Sequence, residues 1–159
     1  MSLSTFAAPV GERYFEHYVP GAVHEFGAID VDETEVIDFA RRFDPQAMHL
    51  DPEAAKRGHF GGLIASGWHT LGLMMRVYVE HYLSHVASIA SPGIDELRWL
   101  LPVRPGDRLH LRVTILAADR SRSKPDRGMV RSRIEVVNQR GEVVMHLTAM
   151  NLLLCKPAA

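Results

Sequence analysis

The sequence predicts an α+β fold in which a curved antiparallel β-sheet wraps around one long central α-helix. The helix is expected over residues 66–83, where apolar side chains occupy most of the circumference and must be covered on several sides. Four segments rich in Val, Ile, Leu and Thr follow at residues 94–103, 108–118, 129–138 and 142–155. Short turn sequences separate them, which favours four consecutive strands in an antiparallel meander. One buried helix ahead of such a meander is the hot-dog arrangement.

The elements ahead of the central helix are marked by their end signals. Residues 23–29 alternate weakly and predict a first strand. Asp32 opens an acidic stretch typical of a helix N-terminus, and Pro45 ends that helix because the residue before a proline is pushed out of the α region. A second, very short helix is expected between a capping Asp51 and an exit at Gly58.

Length and composition favour a single domain over residues 1–159, with residues 1–20 as a peripheral N-terminal segment. Hydrophobic residues make up 47% of the chain and charged residues 23%, so a substantial core is available and disorder is not expected. The formal net charge of -1 argues against a nucleic-acid-binding protein, which usually has a marked basic excess.

Cysteine usage and hydropathy indicate the compartment. The single cysteine, Cys155, cannot form an internal disulfide, so a reducing, cytoplasmic location is expected. Gly, His or Arg residues interrupt the longest apolar stretches, and no membrane-spanning helix is predicted. The first ten residues have no basic region ahead of their apolar residues and do not predict a signal peptide.

Asp44 and His49 are the first candidates for chemistry. They are five positions apart, and Pro45 prevents a continuous helix between them, so a compact loop can aim both side chains at one point. A carboxylate beside an imidazole can orient a water molecule and move protons near neutral pH. The alternative, which the spacing alone favours, is that Asp44 starts an Asx-Pro turn and His49 is a partly buried loop residue.

The start of the central helix, Ser66-Gly67-Trp68, is the second candidate. Its free N–H groups and the positive end of its dipole could stabilise negative charge developing on a carbonyl oxygen, and one such donor is worth about 3 kcal/mol. Gly67 would let a ligand approach the backbone closely. The alternative is that Ser66 is only a helix cap and Gly67 only a packing glycine.

Other side chains carry weaker signals. His59 and His69 lie near the proposed site in sequence and either line it or pack. His81 and His85 are spaced so that they could share a metal ion, but a solvated helix end is the better interpretation, because the glutamate of a zinc-protease motif does not lie between them. Met75 is most simply a core residue.

Four stretches of the sequence look familiar together: FDPQAMHLDP at residues 43–52, FGGLIASGWHT at 60–70, LPVRPGD at 101–107 and SRSKPDRG at 121–128. They resemble the MaoC-like dehydratase family, which includes the (R)-specific enoyl-CoA hydratases. The resemblance covers residues 20–155, and the combination of motifs is fairly specific.

The resemblance implies roles for three residues. In that family an Asp and a His, with four residues between them, hold and activate a water molecule. A backbone N–H of a glycine at the start of the central helix binds the thioester oxygen. These roles fall on Asp44, His49 and Gly67.

Further substrate contacts are expected at the helix start, along the helix and in a basic loop: Ser66, Trp68, His69, Met75, Arg122 and Lys124. The two loop cations could meet the phosphates of a CoA tail, although a solvated basic loop is an equal alternative. No metal ion is expected, and no cofactor other than coenzyme A as part of the substrate.

Two positions depart from the family pattern. The well-known hydratases place their Asp before an Asn-Pro pair, whereas here the Asp itself precedes the proline. Aligning the prolines would put Arg42 at the acid position, so we prefer the register that preserves the spacing from Asp44 to His49. Met75 stands where those hydratases carry a serine, which suggests an altered acyl pocket or a different reaction.

The sequence therefore predicts a hydro-lyase that adds water reversibly to a 2-enoyl-CoA thioester. The alternatives are a hot-dog acyl-CoA thioesterase and a non-catalytic acyl-CoA-binding subunit. A homodimer or higher homo-oligomer is expected, because a curved sheet with a free edge and a large apolar face usually pairs with a second copy. Neither nucleic acid nor a membrane is an expected partner.

Overall fold

In a computed structural model, which describes residues 2–159, the chain forms one sheet and four α-helices. The elements are β1 (Val23–Asp30), α1 (Glu33–Phe43), α2 (Ala47–Leu50), α3 (Pro52–Arg57), α4 (Gly67–His81), β2 (Ser88–Trp99), β3 (Arg108–Arg120), β4 (Arg127–Val137) and β5 (Val143–Leu154). Two short 3-10 turns, Val10–Glu12 and Phe15–His17, precede β1. The predicted helix starts are confirmed, because Asp32, Asp51 and Ser66 each accept a hydrogen bond from the first turn of the helix that follows.

The five strands form an antiparallel sheet in the order β1-β3-β4-β5-β2. The predicted meander is correct for β3, β4 and β5. Strand β2 pairs with β5 and not with β3, so the prediction of four consecutive strands side by side was wrong. The segment after β2 leaves the sheet instead of forming a hairpin. Leu100 N–H donates to the carbonyl of Val144 (2.8 Å), and the carbonyl of Val103 accepts from Ala65 N–H (2.7 Å). Residues 100–107 therefore cross beside the start of α4.

Strand β2 differs most from its prediction, whereas the other strands match within two residues at each end. It begins at Ser88 and ends at Trp99. It includes Pro92, which an edge strand such as β2 tolerates because one side of the strand is unpaired. The apolar run after Trp99 has strand-like composition, yet it leaves the sheet and packs beside α4.

Helix α4 packs against the inner face of the sheet. Val77 is buried on this side, and the hydroxyl of Tyr78 donates to Asn151 on β5. Tyr82, just after the helix, shares a hydrogen bond with Ser132 on β4. The sheet thus wraps around α4, and the predicted α+β hot-dog class is confirmed. Within residues 2–159, no helix has the length and apolar character needed to cross a bilayer.

The outer face of α4 is apolar and uncovered in the single chain. Trp68 is 58% exposed and Met75 is 42% exposed. The prediction that Met75 is a core residue is therefore wrong in the isolated chain. His69, one position after Trp68, is buried instead. Because α4 is apolar around most of its circumference, periodicity alone does not select the face that meets the sheet.

The N-terminal segment is part of the core, which differs from the prediction of a peripheral segment over residues 1–20. Tyr18 is 2% exposed, and its hydroxyl donates to the carbonyl of Tyr82 (2.7 Å) and accepts from Ser84 N–H (2.9 Å). Arg13 donates to the same Tyr82 carbonyl (2.8 Å). These contacts matter because the last carbonyls of a helix have no partner within it. The segment therefore caps the C-terminal end of α4.

Removal of the Tyr18 hydroxyl is expected to destabilise the fold without changing the active centre. In Tyr18→Phe, Ser84 N–H loses its acceptor and remains buried, so the free energy of unfolding should fall by about 1–3 kcal/mol. Burial raises the pKa of Tyr18 to about 12, so this hydroxyl stays protonated at neutral pH. Urea unfolding followed by circular dichroism measures the change, and an unchanged midpoint would show that the N-terminal cap contributes nothing.

Candidate active site

A cavity of about 360 Å3 lies at the N-terminal end of α4. Apolar side chains form most of its wall: Met48, Phe60, Trp99, Leu100, Leu101 and Val103. Among the described residues, Asp44 and His49 are the only ionisable side chains that line it. Apolar walls with a few convergent polar groups are typical of a site for a small molecule.

The chain brings Asp44 and His49 together through a proline turn and one turn of helix. Asp44 ends α1, and the Gln46 N–H donates to its carbonyl (2.8 Å), so Pro45 lies at the centre of a tight turn. Helix α2 follows at once and carries His49 back towards Asp44. The Nε2 atom of His49 lies 3.3 Å from Oδ2 of Asp44. The predicted compact connection thus contains a short helix.

Both oxygens of the Asp44 carboxyl accept hydrogen bonds from neutral donors. Gln46 Nε2 donates to Oδ1 (2.7 Å), and Ser66 Oγ donates to Oδ2 (2.7 Å). The bond from Gln46 is the main reason that the pKa of Asp44 lies below its usual value; Ser66 and His49 add to this, and partial burial opposes it. The carboxyl is therefore ionised at neutral pH.

The orientation of the His49 ring is fixed by a backbone carbonyl. His49 is 4% exposed, and its Nδ1 lies 2.8 Å from the carbonyl oxygen of Ile64. A carbonyl oxygen can only accept, so Nδ1 carries the hydrogen. In the neutral ring, Nε2 is then an acceptor that faces the Asp44 carboxylate.

The first turn of α4 adds a hydrogen-bond donor to the same cavity. Ser66 Oγ accepts from Trp68 N–H (3.2 Å) while it donates to Asp44, so one side chain joins the helix start to the acid. Gly67 lines the cavity, and its N–H has no acceptor within residues 2–159. The first N–H groups of a helix point out of its N-terminal end. This donor is therefore available to a ligand.

Gly67 also meets a packing requirement, and its partner Trp99 was not predicted from the sequence. Trp99 Nε1 donates to the Gly67 carbonyl (2.9 Å), and the indole lies over the Cα atom of Gly67. A Cβ atom added at this position would meet the ring at 2.4 Å. The missing side chain of Gly67 therefore makes room for Trp99, which is the packing role predicted as the alternative to close approach of a ligand.

The remaining predicted residues fall into two groups. Trp68 lines the cavity and contacts Trp99 edge to face, with ring centroids 5.5 Å apart. His69 points away and stacks on Phe39, and Met75 lies further along the exposed side of α4. Neither of these two lines the cavity.

The basic loop and the alternative acid position lie elsewhere. Arg122 and Lys124 are in the β3–β4 turn, at the opposite end of the strands from the cavity. Arg42 is exposed and lies over the ring of Phe43, 5.0 Å from its centroid, whereas Asp44 reaches His49. The geometry therefore supports the register based on spacing.

Three features of the cavity were missed in the sequence. Gln46 had no signal beyond its place two residues after Asp44. Trp99 was assigned to the interior of a strand, although it ends β2 and covers Gly67. Residues 100–103 were assigned to the same strand, but they form a wall of the cavity.

The polar corner of the cavity combines an ionised carboxylate, an imidazole of fixed orientation and a free backbone N–H. Such a set can hold a water molecule, move a proton and stabilise charge on a carbonyl oxygen. Within the described part of the chain, no three His, Cys, Asp or Glu side chains cluster closely enough to hold a metal ion.

Fold and site together define a hot-dog protein with an acid–imidazole pair at the start of its central helix. Residues 16–138 match the MaoC like domain, so the chain belongs to the MaoC-like domain family, as the sequence motifs predicted. A MaoC-like dehydratase from Rhodospirillum rubrum superposes with a TM-score of 0.83 at 40% identity, covering 92% of this chain and 99% of that one.

Two curated relatives align with most of this chain. Protein YdeM of Bacillus subtilis is 30% identical over 125 residues, which cover 79% of this chain and 87% of the relative. The 3-hydroxyacyl-thioester dehydratase Z of Mycobacterium tuberculosis is 29% identical over 120 residues, or 74% of each chain. The relatives of this chain thus include dehydratases.

Proposed function

We propose that the protein catalyses the reversible addition of water to the α,β double bond of a 2-enoyl thioester, with an acyl-CoA as the substrate. One observation carries the proposal: Nε2 of His49 and Oδ2 of Asp44 lie 3.3 Å apart in a cavity that Gly67, at the start of α4, also lines. Membership of a family that contains dehydratases supports hydro-lyase chemistry.

The acid–imidazole pair suits a water molecule that donates two hydrogen bonds. In the neutral ring both Nε2 of His49 and Oδ2 of Asp44 are acceptors, and two acceptors at 3.3 Å repel each other unless a proton lies between them. One water molecule can donate to both atoms. Its lone pairs then face the cavity, where the β-carbon of the substrate would lie.

Hydration then proceeds with a single proton carrier. The water oxygen bonds to the β-carbon, and the π electrons move to form an enolate whose oxygen accepts from the Gly67 N–H. One water proton passes to Nε2 of His49, and the ionised Asp44 stabilises the resulting imidazolium. His49 then returns the proton to the α-carbon as the enolate collapses to the thioester, so that one water molecule is added in all. The reverse sequence is dehydration.

The same proposal includes a homodimer built on the β2 edge. Ile94 on β2 and Trp68 and Met75 on α4 are exposed apolar side chains, and exposed edges and patches of this kind favour association. Twofold pairing of two β2 strands would be antiparallel, so the far end of one sheet would lie near the cavity of the other chain. Arg122 and Lys124 of the second chain could then reach the CoA phosphates.

Light scattering is expected to show a particle with the mass of two chains. Ile94→Lys places a charge on the proposed interface and should shift the protein towards the monomer. Leu116→Lys is the matched control, because Leu116 is an exposed apolar residue on β3, away from the β2 edge. A wild-type monomer, or equal dissociation by both variants, would contradict the interface.

A spectrophotometric assay on a series of trans-2-enoyl-CoA thioesters tests the proposed reaction. Loss of the conjugated-enone absorbance without release of free thiol is the expected result. Release of thiol would indicate a thioesterase. Tight binding without conversion of any thioester would indicate a binding subunit, and either outcome would overturn the proposal.

A further inference from the structure

Gln46 contacts both members of the acid–imidazole pair. Its side-chain amide donates to Oδ1 of Asp44 (2.7 Å), and its backbone N–H donates to the Asp44 carbonyl (2.8 Å). Its own carbonyl accepts from the His49 N–H (2.9 Å), because Gln46 caps α2. Pro45 restricts the backbone between Asp44 and Gln46. Gln46 therefore links the acid to the segment that carries the imidazole.

We propose that Gln46 is a positioning residue which, together with Ser66, holds the Asp44 carboxylate so that the edge facing His49 remains for water. The inference rests on the proposed hydration and deepens it. With Oδ1 held by Gln46 and one side of Oδ2 held by Ser66, the carboxylate cannot rotate without losing a bond of 2.7 Å. Asp44 then orients the water, and His49 carries the proton.

Few charged groups surround Asp44, so the hydrogen bond from Gln46 has the largest influence on its pKa. His49 on α2 is the ionisable group that faces the carboxylate, and Ser66, the N-cap of α4, is a neutral donor to it. On the last turn of α1, Arg41 pairs with Asp38 and Arg42 lies over a phenylalanine ring. Loss of the Gln46 amide would therefore raise the pKa of Asp44, since this amide is the main cause of its depression.

Gln46→Leu tests the proposal through kcat, KM and the pH profile of hydration. We expect kcat to fall about tenfold, with KM within about twofold of wild type, since the lost bond orients the acid and does not hold substrate. The acid limb of kcat/KM should move to higher pH, because protonation of Asp44 then sets in at higher pH. Gln139→Leu is the control: Gln139 makes the same amide–carboxylate bond to Asp107 (2.8 Å), away from the cavity.

Two results would overturn the proposal. One is a Gln46→Leu enzyme with the wild-type kcat and acid limb. The other is a Gln139→Leu enzyme with the same changes, which would indicate a general effect on stability. If the wild-type protein hydrates no thioester, the proposed function fails, and Asp44 is titrated directly by 13C NMR of its carboxyl carbon. A higher midpoint in Gln46→Leu than in wild type would support the positioning role, and an identical midpoint would refute it.

Discussion

Asp44→Asn should lower kcat/KM for enoyl-thioester hydration by roughly 1,000-fold or more, since it removes both the charge and the geometry of the acid. A neutral amide cannot stabilise the His49 imidazolium as the proton is transferred. In addition, Gln46 and Ser66 both donate to Asp44, so the NH2 group of an asparagine would oppose one of these donors. The loss should appear mainly in kcat.

Asp38→Asn is the matched control for this variant. Asp38 lies on the same helix and pairs only with Arg41 at the surface, so its substitution should leave hydration and stability unchanged. Thermal unfolding of both variants separates loss of activity from loss of fold. Wild-type turnover in Asp44→Asn would remove Asp44 from the mechanism.

The second large effect is expected at Gly67. Its alanine variant should lose roughly 100-fold in kcat, because a Cβ atom would meet the Trp99 indole at 2.4 Å and displace either the ring or the first turn of α4. Displacement of that turn moves the N–H that would bind the enolate oxygen. The substrate-binding walls are otherwise retained, so the effect on KM should be smaller.

A double-mutant cycle with Trp99 tests whether the clash with the indole causes the loss of kcat in Gly67→Ala. Trp99→Leu removes the indole and its bond to the Gly67 carbonyl, and creates space at Cα. In that background, Gly67→Ala should cost less than it does in the wild-type protein, since residues in contact give non-additive effects. Equal costs in both backgrounds would show that the contact with Trp99 is not responsible.

Local sequence signals predicted where each helix and strand lies along the chain better than they predicted which elements pack against each other. The caps at Asp32 and Ser66 and the stop at Pro45 were sufficient to locate α1 and the start of α4. The place of β2 beside β5 depends on how residues 100–107 cross the molecule, and no local pattern encodes that crossing. Periodicity was equally uninformative for α4, because its exposed and buried faces are both apolar.

The part of the candidate site that could be predicted is the pair of ionisable side chains that lie close together in sequence. Asp44 and His49 were candidates because Pro45 prevents a continuous helix between them, and the resemblance to the MaoC-like dehydratases implied their roles; the structure brings their side chains together. The contacts of Gln46 with Asp44 and of Trp99 with Gly67 depend on rotamer and turn geometry, which no pattern in the sequence encodes. The predicted contact of Arg122 and Lys124 with a CoA tail would require a second chain, and it stays a prediction.

The chain contains two tryptophans, and both of them line the cavity. Trp68 and Trp99 touch edge to face and remain partly open to solvent. Tryptophan fluorescence, excited selectively over the four tyrosines, is therefore emitted from the candidate site itself. A saturated acyl-CoA that cannot be hydrated can be titrated without any label, and its affinity can be measured separately from turnover for every variant that keeps both indoles.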